Sequence, residues 1–266
     1  MIFYFSATGN TRWAASKLAT ATREQLVNIA DVINSNCRFT LNKDERLGFV
    51  FPVHGWRVPV LVRKFISELT IDSAEGHRPF TFAVCTAGDD IGLTIDEYLN
   101  DTISSNLSLK AMGITAVHSA YSLIMPESYV GLPGMDVDTK DNEIRKKTES
   151  DERLQVICEE IFDRKQGVYR LDRGSWPKIK SHLIGGFFEK FLITDRPFHV
   201  DSARCVKCGI CAHVCPVDDI TGGKGLEPEW NHNGDCLTCF NCYHHCPHHA
   251  IEYGNRTRKK GQYYYK

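Results

Sequence analysis

Cys205, Cys208, Cys211, Cys215 and Pro216, then Cys236, Cys239, Cys242, Cys246 and Pro247, spell one run twice: C-x-x-C-x-x-C-x-x-x-C-P. Three thiolates so closely spaced on short loops can all turn inward and wrap one face of a cubane, and this spacing is the signature of 4Fe-4S ligation. The fourth thiolate follows a three-residue step and is turned away by a proline that cannot continue the local backbone pattern. It reaches the neighbouring cluster instead. The assignment expected is therefore crossed: Cys205, Cys208, Cys211 and Cys246 hold one cluster, and Cys236, Cys239, Cys242 and Cys215 hold the other. Structural zinc pairs C-x-x-C units at longer separations, and neither zinc nor a disulfide framework favours a third cysteine with a trailing Cys-Pro.

A second group of residues suits phosphate. Ser6-Ala7-Thr8-Gly9-Asn10-Thr11 follows an apolar run, Ile2 to Phe5, and leads into a stretch carrying Trp13, Ala14 and Leu18 at helical spacing. Backbone N–H groups and three hydroxyls converging at a helix N-terminus stabilise a phosphate without a lysine. The segment is neither a G-x-x-x-x-G-K-[ST] loop nor a G-x-G-x-x-G loop. A capped helix start is the plainer reading of the same letters.

The elements that must position these groups fall into two unequal domains. From Met1 to about Lys165, short β-branched or aromatic runs alternate with amphipathic stretches, as in a parallel α/β sheet. Strands are expected at Ile2 to Phe5, Leu26 to Ile29, Leu47 to Phe51, Phe80 to Cys85 and Ile114 to Leu123. Helical stripes run through Leu61, Phe65 and Leu69, through Ile95, Leu99 and Ile103, and through Leu154, Ile157, Cys158 and Ile161. The cysteine region is too small to bury a full core and should be held together by its clusters. Residues 166–197 read as a helical connector, with Trp176-Pro177 and then Ile179, Leu183, Ile184, Phe187, Phe188 and Phe191. Packing between the domains is the expectation for that aromatic face, since Lys178, Lys180 and Lys190 are too few for a membrane-binding polybasic face. Residues 257–266 read as a basic, solvated tail, or as an electrostatic handle for an acidic redox partner.

Composition excludes several classes. The chain of 266 residues has 32 basic and 33 acidic residues, a balance that gives no electrostatic footprint for nucleic acid. No apolar run is long enough to span a bilayer. Cys37, Cys85 and Cys158 show no pairing pattern, which is the cysteine usage of a reducing compartment, so a cytoplasmic location is expected.

Ser6, Thr8, Gly9 and Thr11 resemble the phosphate loop of flavodoxins, in which that loop follows the first strand and holds the FMN phosphate. The resemblance implies a flavodoxin-like, doubly wound parallel five-stranded sheet of order 2-1-3-4-5. It also implies two flavin loops: Pro52, Val53, His54, Gly55 and Trp56 after the third strand, and Thr86, Ala87, Gly88 and Asp89 after the fourth. Trp56, and then Tyr129, are candidates to stack on the ring. With the cysteine runs added, the whole chain is similar to flavodoxin-ferredoxin fusions of anaerobes, having an FMN domain at 1–165, the connector, and a smaller α+β two-cluster ferredoxin domain at 198–256.

The expected activity is electron transfer between two 4Fe-4S clusters and FMN, linking low-potential redox proteins, with a ferredoxin-type donor and an acceptor that is not legible. No catalytic residue is assigned. A flavin-dependent reductase of a quinone-like acceptor and a docking or sensory module with an empty flavin site are the alternatives. The segment Met125 to Met135, long for a loop, is a lid, a docking surface or a plain connection. His244 and His245 are expected to be exposed or hydrogen-bonding rather than ligands.

Overall fold

The computed structural model describes residues 1–73 and 76–266. Its centre is an all-parallel sheet of β1 (Ile2–Tyr4), β2 (Leu26–Asn28), β3 (Leu47–Pro52), β4 (Thr81–Ala87), β5 (Ser119–Ile124) and β6 (Tyr169–Arg170), in the order β2-β1-β3-β4-β5-β6. The expected order of the first five holds, and β6 is an added edge strand. Ala120 pairs with Tyr169 and Tyr121 with Arg170, so the sheet takes residues from what the sequence reads as connector. A separate parallel pair, Arg38–Leu41 with Thr70–Ser73, lies outside the expected strands.

Both faces of the sheet are covered, as parallel sheets require. On one face α1 (Asn10–Thr22) brings Ala14, Ala15 and Leu18, and the long helix α3 (Lys140–Phe162) brings Leu154, Ile157 and Ile161, against Val50, Phe82 and Val84. On the other, α2 (Val60–Glu68) buries Leu61, Val62, Phe65 and Ile66 with Phe3 and Phe49. Ile114 and Val117 are buried in this second layer as loop residues, which is why the fifth strand begins at Ser119 and not at Ile114.

A buried ion pair ties the base of the domain together. Arg46 donates to the Glu24 carboxylate at 3.0 Å and to the last carbonyls of α3, those of Ile161 at 3.0 Å and Phe162 at 2.6 Å. The Met1 amino group is a second cationic partner of Glu24, so removing Arg46 leaves that carboxylate partly compensated and two buried carbonyls short of a donor. Arg46→Met is expected to cost about 1–3 kcal/mol of stability, read from urea unfolding.

The cysteine region is built around two two-stranded antiparallel sheets, Phe198–Val200 with Ile251–Tyr253 and Ile220–Gly223 with Leu226–Trp230. Its core includes Phe198, Phe240, Tyr243, Ile251 and Tyr253, and also Val130 from the Met125–Met135 segment. In the other direction, Leu237 of the second cysteine run packs into the core under the central sheet. The 125–135 segment is therefore a docking surface rather than a plain connection. Arg256 donates to the Gly131 carbonyl at 3.0 Å, and Lys260 to those of Val130 at 2.8 Å and Leu132 at 2.5 Å.

The connector departs from the expectation that its whole aromatic face packs away. From Pro177 it is one continuous helix, an Ile179–Ile184 π-segment followed by α4 (Gly185–Phe191). Its inner side carries the fully buried Ser181, whose hydroxyl accepts from the Leu93 N–H at 2.9 Å. Leu183 is 69 % exposed on its outer side, and Phe187, although it borders a large cavity, is 57 % exposed. Among the described residues no helix is long and apolar enough to cross a membrane.

Candidate functional site

The chain leaves β1 and turns through Gly9, whose φ of +97° starts α1 without any side-chain cap. The N–H groups of the first turn are thus left for an outside acceptor, and the helix dipole favours an anion there. Around this loop, Thr11 and Thr86 share a hydroxyl hydrogen bond of 2.7 Å, and the Asn10 amide donates to the Pro126 carbonyl at 3.0 Å. The Ser6 hydroxyl is buried without a partner among the described residues.

After β3, His54 and Arg57 exchange backbone hydrogen bonds of 3.1 and 3.2 Å across Gly55 and Trp56, which have φ of 57° and 58°. A tight turn with both central residues left-handed is natural for glycine and strained for tryptophan. The connector helix holds that strain in place. Arg57 donates to the Ser181 and His182 carbonyls at 2.8 and 3.2 Å, Phe188 packs on Gly55, and the Lys180 ammonium lies 5.7 Å from the centre of the Trp56 ring. Burial pushes the His54 imidazole down to about 4, so it is neutral at physiological pH.

After β4, the Gly88 carbonyl accepts from Lys146 at 2.7 Å, and Lys146 in turn pairs with Asp138 at 2.7 Å. Glu127 sits directly against Gly88, where any side chain would overlap its carboxylate. It accepts the Ser128 and Tyr129 N–H groups at 2.8 Å, yet burial raises its pKa above the usual carboxylate range.

These three loops close on one cavity of about 370 Å³, the size of a pocket for a cofactor-sized molecule. Ser6, Ala7, Thr8, Asn10, Thr11, Pro52, Val53, His54, Gly55, Trp56, Thr86, Ala87, Gly88 and Asp89 all line it, as does Tyr129. Gly9 alone of the expected residues does not; it shapes the loop from behind. The remaining wall is not legible in local sequence: Phe187, Phe188 and Leu192 come from the connector, and Leu237, Thr238 and Cys239 from the second cysteine run. Asp90 and Glu127 also line it, and they adjoin positions the sequence does mark.

The cysteines separate into two sets. Cys205, Cys208, Cys211 and Cys246 surround one small cavity, and Cys215, Cys236, Cys239 and Cys242 surround another. Each set takes three residues from one run and the fourth from the other. The two halves repeat in detail, since the Asp219 N–H donates to Cys215 Sγ at 3.3 Å and the Ala250 N–H to Cys246 Sγ at 3.2 Å. Among the described residues no three His, Cys, Asp or Glu side chains close on a single-ion site. Burial pushes the Cys211 thiol up to about 11 and that of Cys239 up to about 12. Buried sulfurs of this kind become thiolates only against a cationic body, and four of them ringing a cavity suit a cluster of irons.

His244 is buried and takes no part in either set. Its Nε2 lies 2.6 Å from the Ser128 carbonyl and its Nδ1 accepts from the Tyr263 N–H at 3.2 Å, which fixes one neutral tautomer. Val206 is 57 % exposed at the rim of the first cavity, while Phe240 is buried beside the second.

Residues 1–118 match the family model of the flavodoxin domain, and residues 198–247 that of the 4Fe-4S dicluster domain. No curated protein matches the chain. Among solved structures, a putative flavoprotein from Bacteroides uniformis is 19 % identical over 46 % of this chain and 88 % of its own, with a TM-score of 0.29. The rubredoxin oxygen:oxidoreductase of Desulfovibrio gigas is 16 % identical over 60 % of this chain and 36 % of its own, also with a TM-score of 0.29. FMN for the first domain and two 4Fe-4S clusters for the second fit the residues present: an uncapped helix start with an unpartnered serine beside a cavity of cofactor size, and two rings of four cysteines. The chain joins a flavodoxin domain to a 4Fe-4S dicluster domain.

Proposed function

We propose that the chain carries electrons between a one-electron redox protein and FMN, with the Cys215, Cys236, Cys239 and Cys242 set next to the flavin and the Cys205, Cys208, Cys211 and Cys246 set facing the partner. One observation carries this reading: Leu237 and Cys239 line both the cavity of the second cysteine set and the large cavity of the flavodoxin domain. Bound there, the clusters supply single-electron exchange and FMN supplies one- or two-electron exchange. The first cysteine set has the opposite surroundings, with Cys208, Val206, Lys207 and Leu226 exposed at its rim.

The chain's own residues position and insulate. Ser6 to Thr11 would hold the phosphate, the Trp56 and Gly88 loops would grip the ring system, and Phe188 and Leu192 would keep water from the connector side of the cavity. The division proposed is 1–165 for FMN, 166–197 for the connector and 198–256 for the clusters, with β6 lent by the connector to the first. A ferredoxin-type donor in the cytoplasm of an anaerobe is the setting that suits such a chain. The apolar wall of Phe187, Phe188 and Leu192 also favours a second reading, reduction of a flat, quinone-like acceptor.

Stepwise reduction of anaerobically purified protein, followed by visible and EPR spectra with iron and FMN analyses, tests the first reading. One FMN and two cubanes that re-equilibrate within a single molecule are expected. Flavin that stays oxidised while both clusters are reduced to completion, at potentials that favour flavin reduction, would exclude it. Faster reoxidation by a quinone than by any protein acceptor would favour the second reading.

A further inference from the structure

The last residues of the chain do not form a solvated tail. Tyr263 is 7 % exposed, and Thr257 is buried beneath it in sequence. The segment runs across the back of the phosphate loop, on the side away from the cavity. The Tyr265 N–H donates to the Thr8 carbonyl at 2.7 Å, and the Tyr265 backbone lies 3.0 Å from where a Gly9 side chain would begin. The Tyr263 hydroxyl donates to Asn10 Oδ1 at 2.6 Å, which leaves the Asn10 amide free to hold the Pro126 carbonyl. The Tyr265 ring stacks on Trp13 of α1 at 5.4 Å, and Lys147 of α3 sits over the Tyr263 and Tyr265 rings at 5.3 and 4.5 Å.

The same segment, Gln262 to Tyr265, also grips the second cysteine run. The Gln262 amide donates to the Tyr243 carbonyl at 2.5 Å and the Cys246 carbonyl at 2.8 Å, the Tyr263 N–H donates to His244, and Tyr264 stacks on His245 at 4.3 Å. One short strap therefore touches the helix start that takes the FMN phosphate and the backbone that carries Cys242 and Cys246.

We infer that Gln262 to Tyr265 latch the FMN phosphate loop to the second cysteine run, so that FMN binding and retention of the clusters reinforce each other. The inference rests on FMN occupying the large cavity. Tyr263 and Tyr265 are positioning residues, since neither lines that cavity. With the clusters in place, the Cys242–Cys246 backbone is fixed, the strap is held, and Asn10 and Gly9 stay in the conformation that presents their N–H groups to phosphate. Linkage makes the effect reciprocal: whatever bound clusters add to FMN affinity through the strap, bound FMN adds to cluster affinity.

Tyr263→Phe in the full-length, cluster-loaded protein is the test. It removes one hydrogen bond and leaves Asn10 Oδ1 unpaired, so the FMN dissociation constant should rise about tenfold. Riboflavin, which lacks the phosphate, should bind the variant and the unaltered protein alike. In the unaltered protein, FMN should raise the chelator concentration that removes half of the iron at equilibrium about tenfold, and in the variant this protection should largely vanish. Equal weakening of FMN and riboflavin would mean general loosening and overturn the latch, as would an unchanged FMN constant or iron release indifferent to FMN. Failure of the unaltered protein to bind either flavin would instead remove the FMN reading on which the latch stands.

Discussion

Cys215→Ser is expected to abolish the cluster of the second cysteine run and leave that of the first intact, although Cys215 belongs to the first run by sequence. Cys215 stands with Cys236, Cys239 and Cys242 around one cavity, and Cys246 with Cys205, Cys208 and Cys211 around the other. A serine oxygen is a poor substitute for a soft thiolate on iron. About half of the iron should be lost, and the remaining EPR and Mössbauer signals should be those of one unperturbed cubane. Cys246→Ser should produce the mirror result. The two variants should also differ in function, because Cys239 of the second set borders the flavin cavity and the first set does not. Cys215→Ser should disconnect the flavin from an external one-electron donor, whereas Cys246→Ser should leave the inner set in place. Loss of the cluster at Cys205, Cys208 and Cys211 in the Cys215 variant would overturn the crossed assignment.

Gly9→Val should weaken FMN binding by about a hundredfold, measured by flavin fluorescence on titration of cluster-loaded protein. Gly9 combines a φ of +97° with Tyr265 backbone and side-chain atoms 3.0 Å from the position of a Cβ. A β-branched residue in a left-handed conformation costs about 1–2 kcal/mol, and overpacking adds about 1–3 kcal/mol. Relief comes only from moving the loop or the strap, and either movement disperses the N–H groups at the start of α1. About 3 kcal/mol corresponds to about two powers of ten. Affinity within a factor of about two of the unaltered protein would show that the loop tolerates the side chain and that the phosphate is held elsewhere.

What could be read in the sequence was what repeats or lies close together along the chain. The cysteine spacing, the strand-loop-helix around Ser6 to Thr11 and the alternation behind the first five strands are local patterns, and the structure keeps them in their expected order. Tyr169–Arg170 was invisible because two exposed residues carry no period. Arg38–Leu41 and Thr70–Ser73 were similarly short and mixed in polarity. The far wall of the flavin cavity, with Phe188 and Leu237 to Cys239, is distant in sequence from the loops it faces, so only tertiary packing brings it there. The strap misled for a physical reason. Lysines and arginines around Tyr263 to Tyr265 look solvated, yet Lys260 spends its charge on two carbonyls and the tyrosines cover Trp13 and His245. Charge marks a surface only when no acceptor or ring is folded against it.

Val130 and Leu237 cross the boundary in opposite directions, each completing the other domain's interior. Each core borrows a side chain from the other, so severing the chain in the connector would expose a plug on one piece and its socket on the other. The protein is consequently not two modules on a tether. A substitution at either plug should therefore be felt in the core of the other domain.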